Sequence, residues 1–416
     1  MIDGCRFVDC DMHVSEPIDL FDKYLDPAYR HRITVPRKKA FGGGHSMVDR
    51  VLIDGRPMSR DIPRDFKLFF PRAASPSAQA TKELVHRYKF AVDRDWDAES
   101  QVMAMDMEGI DIAVLFPSTG LYLLQPDMEP HFALAVCQAY NNWMHEYTNH
   151  CPEQMKWIAM LPYHDVNLAC RELERCVKLG ARGSFLRPNP VGDVAFQGEC
   201  RHTHKYWGCI YWMGLYELQE ELGVPLCFHE GTGIWGSPIE ARFGEEFIPR
   251  HIASHWVEAQ LAMIAMMTAG IFEHFPSFKV AYLEAGAAWV PGLLSRIESN
   301  YRLFHARHNS AHLSMTPKEY FQRQCWVSTE GEDPELGDVI GRLGPEHIAI
   351  SSDYPHYDSE FPNASRELLE HVPKEHATKI LRSAADLYGF TDEDFAKADA
   401  AHARRKPAVA AGTASA

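Results

Sequence analysis

Five short stretches of this chain place metal-binding or acid–base side chains at the ends of apolar runs. Phe7-Val8-Asp9-Cys10-Asp11-Met12-His13 is an apolar strand that closes on Asp11-x-His13. Residues i and i+2 of a strand share a face, so Asp11 and His13 can clamp one ion. A carboxylate with an imidazole suits Zn or Mn. Pro225-Leu226-Cys227-Phe228-His229 ends in a histidine and enters Glu230-Gly231. Ile348-Ala349-Ile350-Ser351-Ser352-Asp353 ends in an acid before Tyr354-Pro355-His356. A buried strand that ends in an unpaired carboxylate is costly, so Asp353 reads as a metal ligand or a proton acceptor. Val280–Glu284 repeats the pattern with Glu284, to bind metal, position water or hold substrate. His251 and His255, four apart, share one helix face, and His255 is a candidate base. The stretch lacks the Glu of His-Glu-x-x-His.

These side chains need a scaffold that brings distant strand ends together. Eight apolar runs alternate with helical stretches: Phe7–His13, Ile110–Phe116, Trp157–Pro162, Ala181–Arg187, Pro225–His229, Val280–Glu284, Trp326–Glu330 and Ile348–Asp353. Buried parallel strands read this way. The intervening segments Ala98–Glu108, Phe132–Thr148, Asn167–Leu179, Trp256–Phe275 and Ala364–Tyr388 carry helical patterns, the last broken near Pro373. An α/β fold, a (β/α)8 TIM barrel, is expected over one domain, residues 1–390. In such barrels catalytic groups stand at the C-terminal ends of the strands. Residues of about 14 to 97 form a long insertion after the first strand, read as a cap or dimer contact. Residues 397–416, Ala-rich, read as a disordered tail.

Composition narrows the function classes. With 57 acidic against 42 basic residues, the formal net charge is -15, and no Lys/Arg cluster suits phosphate binding. Nucleic acid is therefore not an expected partner. No run approaches the roughly 20 apolar residues of a membrane span. The first residues lack the pattern of a secretory leader. The ten cysteines are scattered without Cys-x-x-Cys, as free thiols in a reducing compartment would be. A cytoplasmic enzyme is the expectation. No Gly-x-Gly-x-x-Gly follows a strand, which leaves dinucleotide binding without support. His202-Thr203-His204 lies in a polar loop with no strand before it and is set aside as a ligand pair.

Assembled, the motifs resemble the amidohydrolase-related branch of the amidohydrolase superfamily. They are Asp9-x-Asp11-x-His13, Arg182-Gly183 through Arg187-Pro188-Asn189, His229, Gly270 to Pro276, Leu283-Glu284-Ala285-Gly286 and Ser352-Asp353-Tyr354-Pro355-His356. The branch holds muconate-semialdehyde and resorcylate decarboxylases and meta-cleavage-product hydrolases. The resemblance, from Val8 to about Phe390, implies one divalent metal ion, Zn before Mn, on Asp11, His13, His229 and Asp353. The first ligand is His or Glu in the decarboxylases and Asp here. No Lys stands at the fourth strand's tip, so a carbamate-bridged pair of ions is not expected. Where the decarboxylases carry a His in the sixth strand, this chain has Glu284.

That departure points the reading to a metal-dependent hydrolase. A metal-activated water would act on a small carboxylate-bearing substrate, at a C–C bond beside a carbonyl or at an amide or ester. Asp353, His255 and Glu284 are the expected catalytic residues. Arg182 and Arg187 are carboxylate clamps by their forked guanidinium groups, and Trp235 and Trp256 form an aromatic wall. The alternatives are a metal-dependent non-oxidative decarboxylase of an aromatic or muconate-type acid, and a non-catalytic barrel. A homodimer follows from the family's habit and the long insertion.

Overall fold

Eight apolar runs form parallel strands in the computed structural model, which describes residues 2, 4–35, 51–57, 86–189, 207–231, 238–243, 246–308, 310–356 and 358–410. They are β1 (Val8–His13), β2 (Ile112–Phe116), β3 (Met155–Trp157 continuing as Ala159–Met160), β4 (Ser184–Leu186), β5 (Leu226–Phe228), β6 (Val280–Tyr282), β7 (Cys325–Thr329) and β8 (Ile348–Ile350). Every residue of β2 is buried, as a strand covered on both faces requires. A helix follows each strand: α1 (Ala98–Glu108), α2 (Pro130–Thr148), α3 (Val166–Lys178), α4 (Met213–Leu222), α5 (Phe247–Thr268), α6 (Val290–Phe304), α7 (Leu336–Leu343) and α8 (Lys374–Tyr388). Their starts are chemically marked. The Asp97 carboxylate accepts the Ser100 N–H at α1, and Asp165 accepts the Leu168 N–H at α3.

The strands neighbour one another in chain order. β1, β2 and the first part of β3 form one ladder; the rest of β3 through β8 forms the next. β3 joins the two across Ile158: Ile158 N–H donates to Leu115 O and Ala159 N–H to Gly183 O. Between β8 and β1 no ladder is present among the described residues. Side chains and loop backbone cross this seam instead. Ser351 Oγ donates to Asp11 O at 2.8 Å, Ser352 Oγ donates to the buried Asp9 carboxylate, and His13 N–H donates to Tyr354 O. The (β/α)8 arrangement is the one expected, and the open seam lies where the first and last strands present their functional residues.

Three details differ from the sequence reading. The helix expected from Trp256 begins nine residues earlier, at Phe247, because Pro249 falls in its first turn, where a missing N–H costs nothing. It ends at Thr268, and Gly270, at φ +75°, turns the chain into the short helix Ile271–His274. The expected tail is not disordered from 397: residues through 410 lie in a ninth helix, α9 (Asp392–Ala410). Ala-rich sequence favours helix. Phe395, Ala398 and Ala401 are buried, and Asp399 makes a two-pronged pair with Arg6 at 2.7 Å.

Of the insertion, the described parts include the helix Leu20–Tyr24 and a small antiparallel sheet of Ile33–Thr34, Leu52–Ile53 and Arg56–Pro57. Its last part returns to the barrel. Tyr88 Oη donates to His356 O at 3.0 Å and its ring packs on Tyr354 and Phe361, against the loop after β8. Residues 36–50 and 58–85 lie outside the described residues, as does His202-Thr203-His204. Among the described residues no helix is long and apolar enough to cross a membrane, and the described cysteines are free.

Candidate metal centre

The C-terminal ends of β1, β5 and β8 bring Asp11, His13, His229 and Asp353 into one buried cluster. Asp11, His13 and His229 have no exposure to solvent. His13 Nδ1 lies 2.8 Å from Pro117 O and His229 Nδ1 lies 3.0 Å from Glu230 O. Each Nδ1 therefore carries the proton, and each Nε2 presents a lone pair. Those two Nε2 atoms are 3.1 Å apart. Asp11 Oδ2 is 3.2 Å from His229 Nε2, and His13 Nε2 is 3.5 Å from Asp11 Oδ1 and 3.4 Å from Asp353 Oδ1. Neither Asp11 oxygen has a hydrogen-bond donor, and Asp353 Oδ1 faces imidazole nitrogens, His13 Nε2 among them. Lone pairs and carboxylate oxygens converging without a donor repel one another. A divalent cation is the group that relieves this, and the donor set fits one.

Two residues of this cluster carry a left-handed backbone. Asp353 and Glu284 both sit at φ +50°, a conformation that costs a residue with a Cβ roughly 1–2 kcal/mol. Such strain is held where the surroundings over-determine it, and here it turns both carboxylates inward from the strand ends. Glu284 is pinned by its own N–H, which donates to Ser328 Oγ at 2.8 Å. Its Oε2 lies 3.4 Å from His229 Nε2 and its Oε1 lies 3.4 Å from His255 Nε2. α5 places His255 inward, buried, and His251 beside it with Nε2 3.3 Å from Asp358 Oδ2.

The electrostatics follow from crowding acids without solvent. Burial drives Glu284 and Asp353 well above the usual carboxylate range, and neighbouring acids push further: Asp11 on Glu284, and Glu284 on Asp353. Burial works against the Asp11 carboxylate too, but the imidazoles of His229 and His13 outweigh it and hold Asp11 below its ordinary value. Burial lowers His13 well below an ordinary imidazole, with His356 adding to it. His255 is lowered to about 3 by burial and by the adjoining His251.

Several contributors stand outside the sequence-derived set. His356 Nδ1 is 2.7 Å from Asp353 Oδ1, and its ring stacks on His13 at 4.0 Å between centroids. It could join Asp353, His13 and Glu284 around an ion. Its signal, a His three residues past Asp353 across a Pro turn, is visible in the sequence but gives no direction for the ring. Glu16 is buried and accepts three backbone N–H groups, from Ser118, Thr119 and Gly120 at 2.8–3.1 Å. That holds the loop after β2, whose Ser118 Oγ meets His356 Nε2 at 3.2 Å. Asp9 is a positioning residue, gripping Ser352 next to Asp353.

The expected substrate contacts divide. Arg187 follows β4 at the C-terminal mouth and is 4% exposed. Its Nη2 donates to Tyr163 Oη at 2.7 Å and Leu124 O at 3.3 Å, while Nε and Nη1 have no acceptor. Beside it lies the buried Glu230, whose carboxyl burial pushes well above the usual range despite the guanidinium. Arg182 precedes β4, so it lies at the opposite end of the barrel, 3.7 Å from Asp394 and over the Phe390 ring. It cannot reach the site. Trp256 is 46% exposed because it lies one residue, about 100°, around α5 from the inward His255. It is not a wall of this pocket. Trp235 lies outside the described residues.

Comparison with known proteins adds the lineage. A family model described as amidohydrolase matches residues 8–390. The chain is 25% identical over 299 residues to a gamma-resorcylate decarboxylase of a Polaromonas species, spanning 66% of this chain and 85% of that protein. It is 24% identical over 264 residues to the 2-amino-3-carboxymuconate-6-semialdehyde decarboxylase of Dictyostelium discoideum, 62% and 67% of the two chains. An amidohydrolase crystal structure from Mycobacterium avium subsp. paratuberculosis superposes with a TM-score of 0.70 at 18% identity, over 94% of this chain and 99% of that one. A dihydroxybenzoic acid decarboxylase from a Polaromonas species, with bound manganese and 2-nitroresorcinol, gives 0.63 at 18% identity, over 94% and 99%. The structural likenesses carry the barrel fold.

Proposed function

The chain belongs to the amidohydrolase family, and on that premise we propose that it is a metal-dependent non-oxidative decarboxylase of a small aromatic or muconate-type acid. The observation that carries an enzyme of this kind is the convergence of His13, His229 and Asp353 on Asp11, whose oxygens have no donor, with Arg187 presenting unused N–H groups in the same mouth. The named relatives, decarboxylases that match about two thirds of this chain, support loss of carbon dioxide over hydrolysis.

Asp11, His13, His229 and Asp353 would hold one divalent cation, manganese as in the related crystal structure or zinc. When bound, that cation supplies Lewis-acid stabilisation of the acid's oxygens. Arg187 orients the anionic end of the substrate through its unpaired Nη1. The bond to the carboxyl carbon breaks, its electron pair stays on the ring or chain carbon, and a proton must reach that carbon. His356, paired with Asp353 at 2.7 Å and stacked on His13, is placed to hold this proton. Ser118, fixed through Glu16, holds the other side of the same imidazole.

A second reading is hydrolysis, favoured by Glu284. Its carboxylate lies between His229 and His255, an acid and an orienting imidazole of the sort that an attacking water needs. One experiment separates the two. Metal-loaded protein is screened against 2-hydroxybenzoates, dienoates and amides in oxygen-18 water. Carbon dioxide release with no label in the product supports decarboxylation; a labelled carboxylate product would replace it with hydrolysis. Dimer formation through the 14–97 insertion and a cytoplasmic setting belong to the same proposal, the former checked by light scattering.

A further inference from the structure

The His251–His255 pair is four residues apart on α5 and is not used by the proposed decarboxylation. It is not an isolated surface pair. His255 is buried, its Nδ1 faces His251 O at 3.4 Å, and its Nε2 is directed at Glu284 Oε1, 3.4 Å away. His251 turns its Nε2 to Asp358 Oδ2 at 3.3 Å. Donor atoms of His251, His255 and Glu284 all lie within 4.8 Å of one another, the reach of a single ion. The other oxygen of Glu284 lies 3.4 Å from His229 Nε2, in the buried cluster. One carboxylate therefore faces two sets of imidazoles, one through each oxygen.

We propose that the mouth of this barrel binds a second divalent cation on His251, His255 and Asp358, with Glu284 shared between the two ions. The proposal rests on the reading of Asp11, His13, His229 and Asp353 as the first site. Two imidazoles and two carboxylates are a donor set for a borderline cation such as manganese, cobalt or zinc. Carboxylate-linked pairs of this kind hold their ions about 3.5–4 Å apart. Charge balance supports it. Asp11, Asp353, Glu284 and Asp358 together neutralise two divalent cations, whereas one cation leaves two negative charges over. The left-handed backbone of Glu284, at φ +50°, is the geometry that directs its carboxylate between the two sets. This arrangement needs no carbamylated lysine at β4. The outer ion lies toward solvent, since His251 and Asp358 are about one third exposed, and it is expected to bind less tightly than the inner one.

The test is a manganese titration of the metal-stripped full chain, read by elemental analysis and by electron paramagnetic resonance. Wild type is expected to bind two equivalents, the second weaker. The six-line signal of an isolated ion should give way to a spin-coupled spectrum as the second fills. His255→Ala and His251→Ala should each hold one equivalent with the isolated-ion signal. Glu284→Gln should lose the coupling. Circular dichroism verifies the fold, and His251, the more exposed of the pair, serves if His255→Ala unfolds. One equivalent in wild type at saturation, or two that do not couple, overturns the second site alone. No bound ion in wild type overturns both this site and the metal-centre reading.

Discussion

Replacing Arg187 with lysine tests the substrate assignment where the structure is most specific. Arg187 is buried, and its Nη2 is already occupied by Tyr163 Oη and Leu124 O. Nε and Nη1 have no acceptor, and they lie on different edges of the fork, each beside the occupied Nη2. A carboxylate that docks at Nη1 gains a charge-assisted hydrogen bond. Lysine keeps the positive charge but offers one point donor, so that bond is lost. A bond of that kind contributes about 1.5–3 kcal/mol. At 1.4 kcal/mol per factor of ten, binding of an acid ligand should weaken roughly ten- to a hundredfold. Arg187→Met, which removes charge and donors together, should weaken it further. The assay is calorimetric binding of 2-hydroxybenzoate and of its neutral amide to metal-loaded protein. The amide shares the ring and hydroxyl but carries no carboxylate charge, so its affinity for Arg187→Lys should be close to that for wild type. An equal loss for both ligands would mean that the substitution disturbs the pocket generally. No loss for the acid would mean that Nη1 of Arg187 does not face the substrate.

Three further outcomes follow from other parts of the molecule. A cation held at 100 times its Kd adds about 2.7 kcal/mol. With about 2.1 cal/mol/K of unfolding entropy per residue over 416 residues, the midpoint should rise by about 3 °C in a thermal scan, and neither His13→Ala nor His229→Ala should show that rise. Gly331→Ala would set a Cβ 2.2 Å from Ala364 O, in the backbone of the helix Ala364–His371. That overpacking should cost about 1–3 kcal/mol and lower the midpoint by a similar number of degrees. Lys156, in β3, is lowered from 10.5 to about 8, chiefly by burial and then by Arg182. Between these values the unfolded chain binds more protons than the folded one, so stability should climb as pH rises from about 8 to 10.5. The climb is at most about 3 kcal/mol. Lys156→Met should be flat across the same window in denaturant titrations.

The barrel was legible because its strands are buried on both faces, which leaves apolar runs with no alternation, and because each run ends at a polar residue. Asp11, His13, His229, Asp353 and Glu284 could each be picked out as the polar terminus of such a run. Arg182 and Arg187 bracket one strand, and strand direction alone separates them. In a parallel barrel, residues before a strand are at the far end from those after it. Trp256 and His255 are separated by helix phase, one residue being about 100° around α5. The ninth helix was missed because an Ala-rich segment has no apolar stripe to reveal what it packs on. Its anchors, Arg6 and the buried Phe395, Ala398 and Ala401 positions, come from both ends of the chain.

What the sequence determined by itself is the set of parts: eight strands with helices between them, and an acid or histidine at the strand ends, all consequences of local period and burial. What only the tertiary structure decided is how those parts face one another. Whether Asp11 and His229 share an ion depends on a 3.2 Å approach between residues 218 positions apart (229 − 11). His356 enters the cluster only because the chain after β8 folds back onto His13. Glu284 touches two sets of imidazoles only because its backbone adopts φ +50° at the end of β6. Side-chain direction at a turn, and contact between distant segments, are set by the packing of the whole barrel, so no local stretch of sequence encodes them.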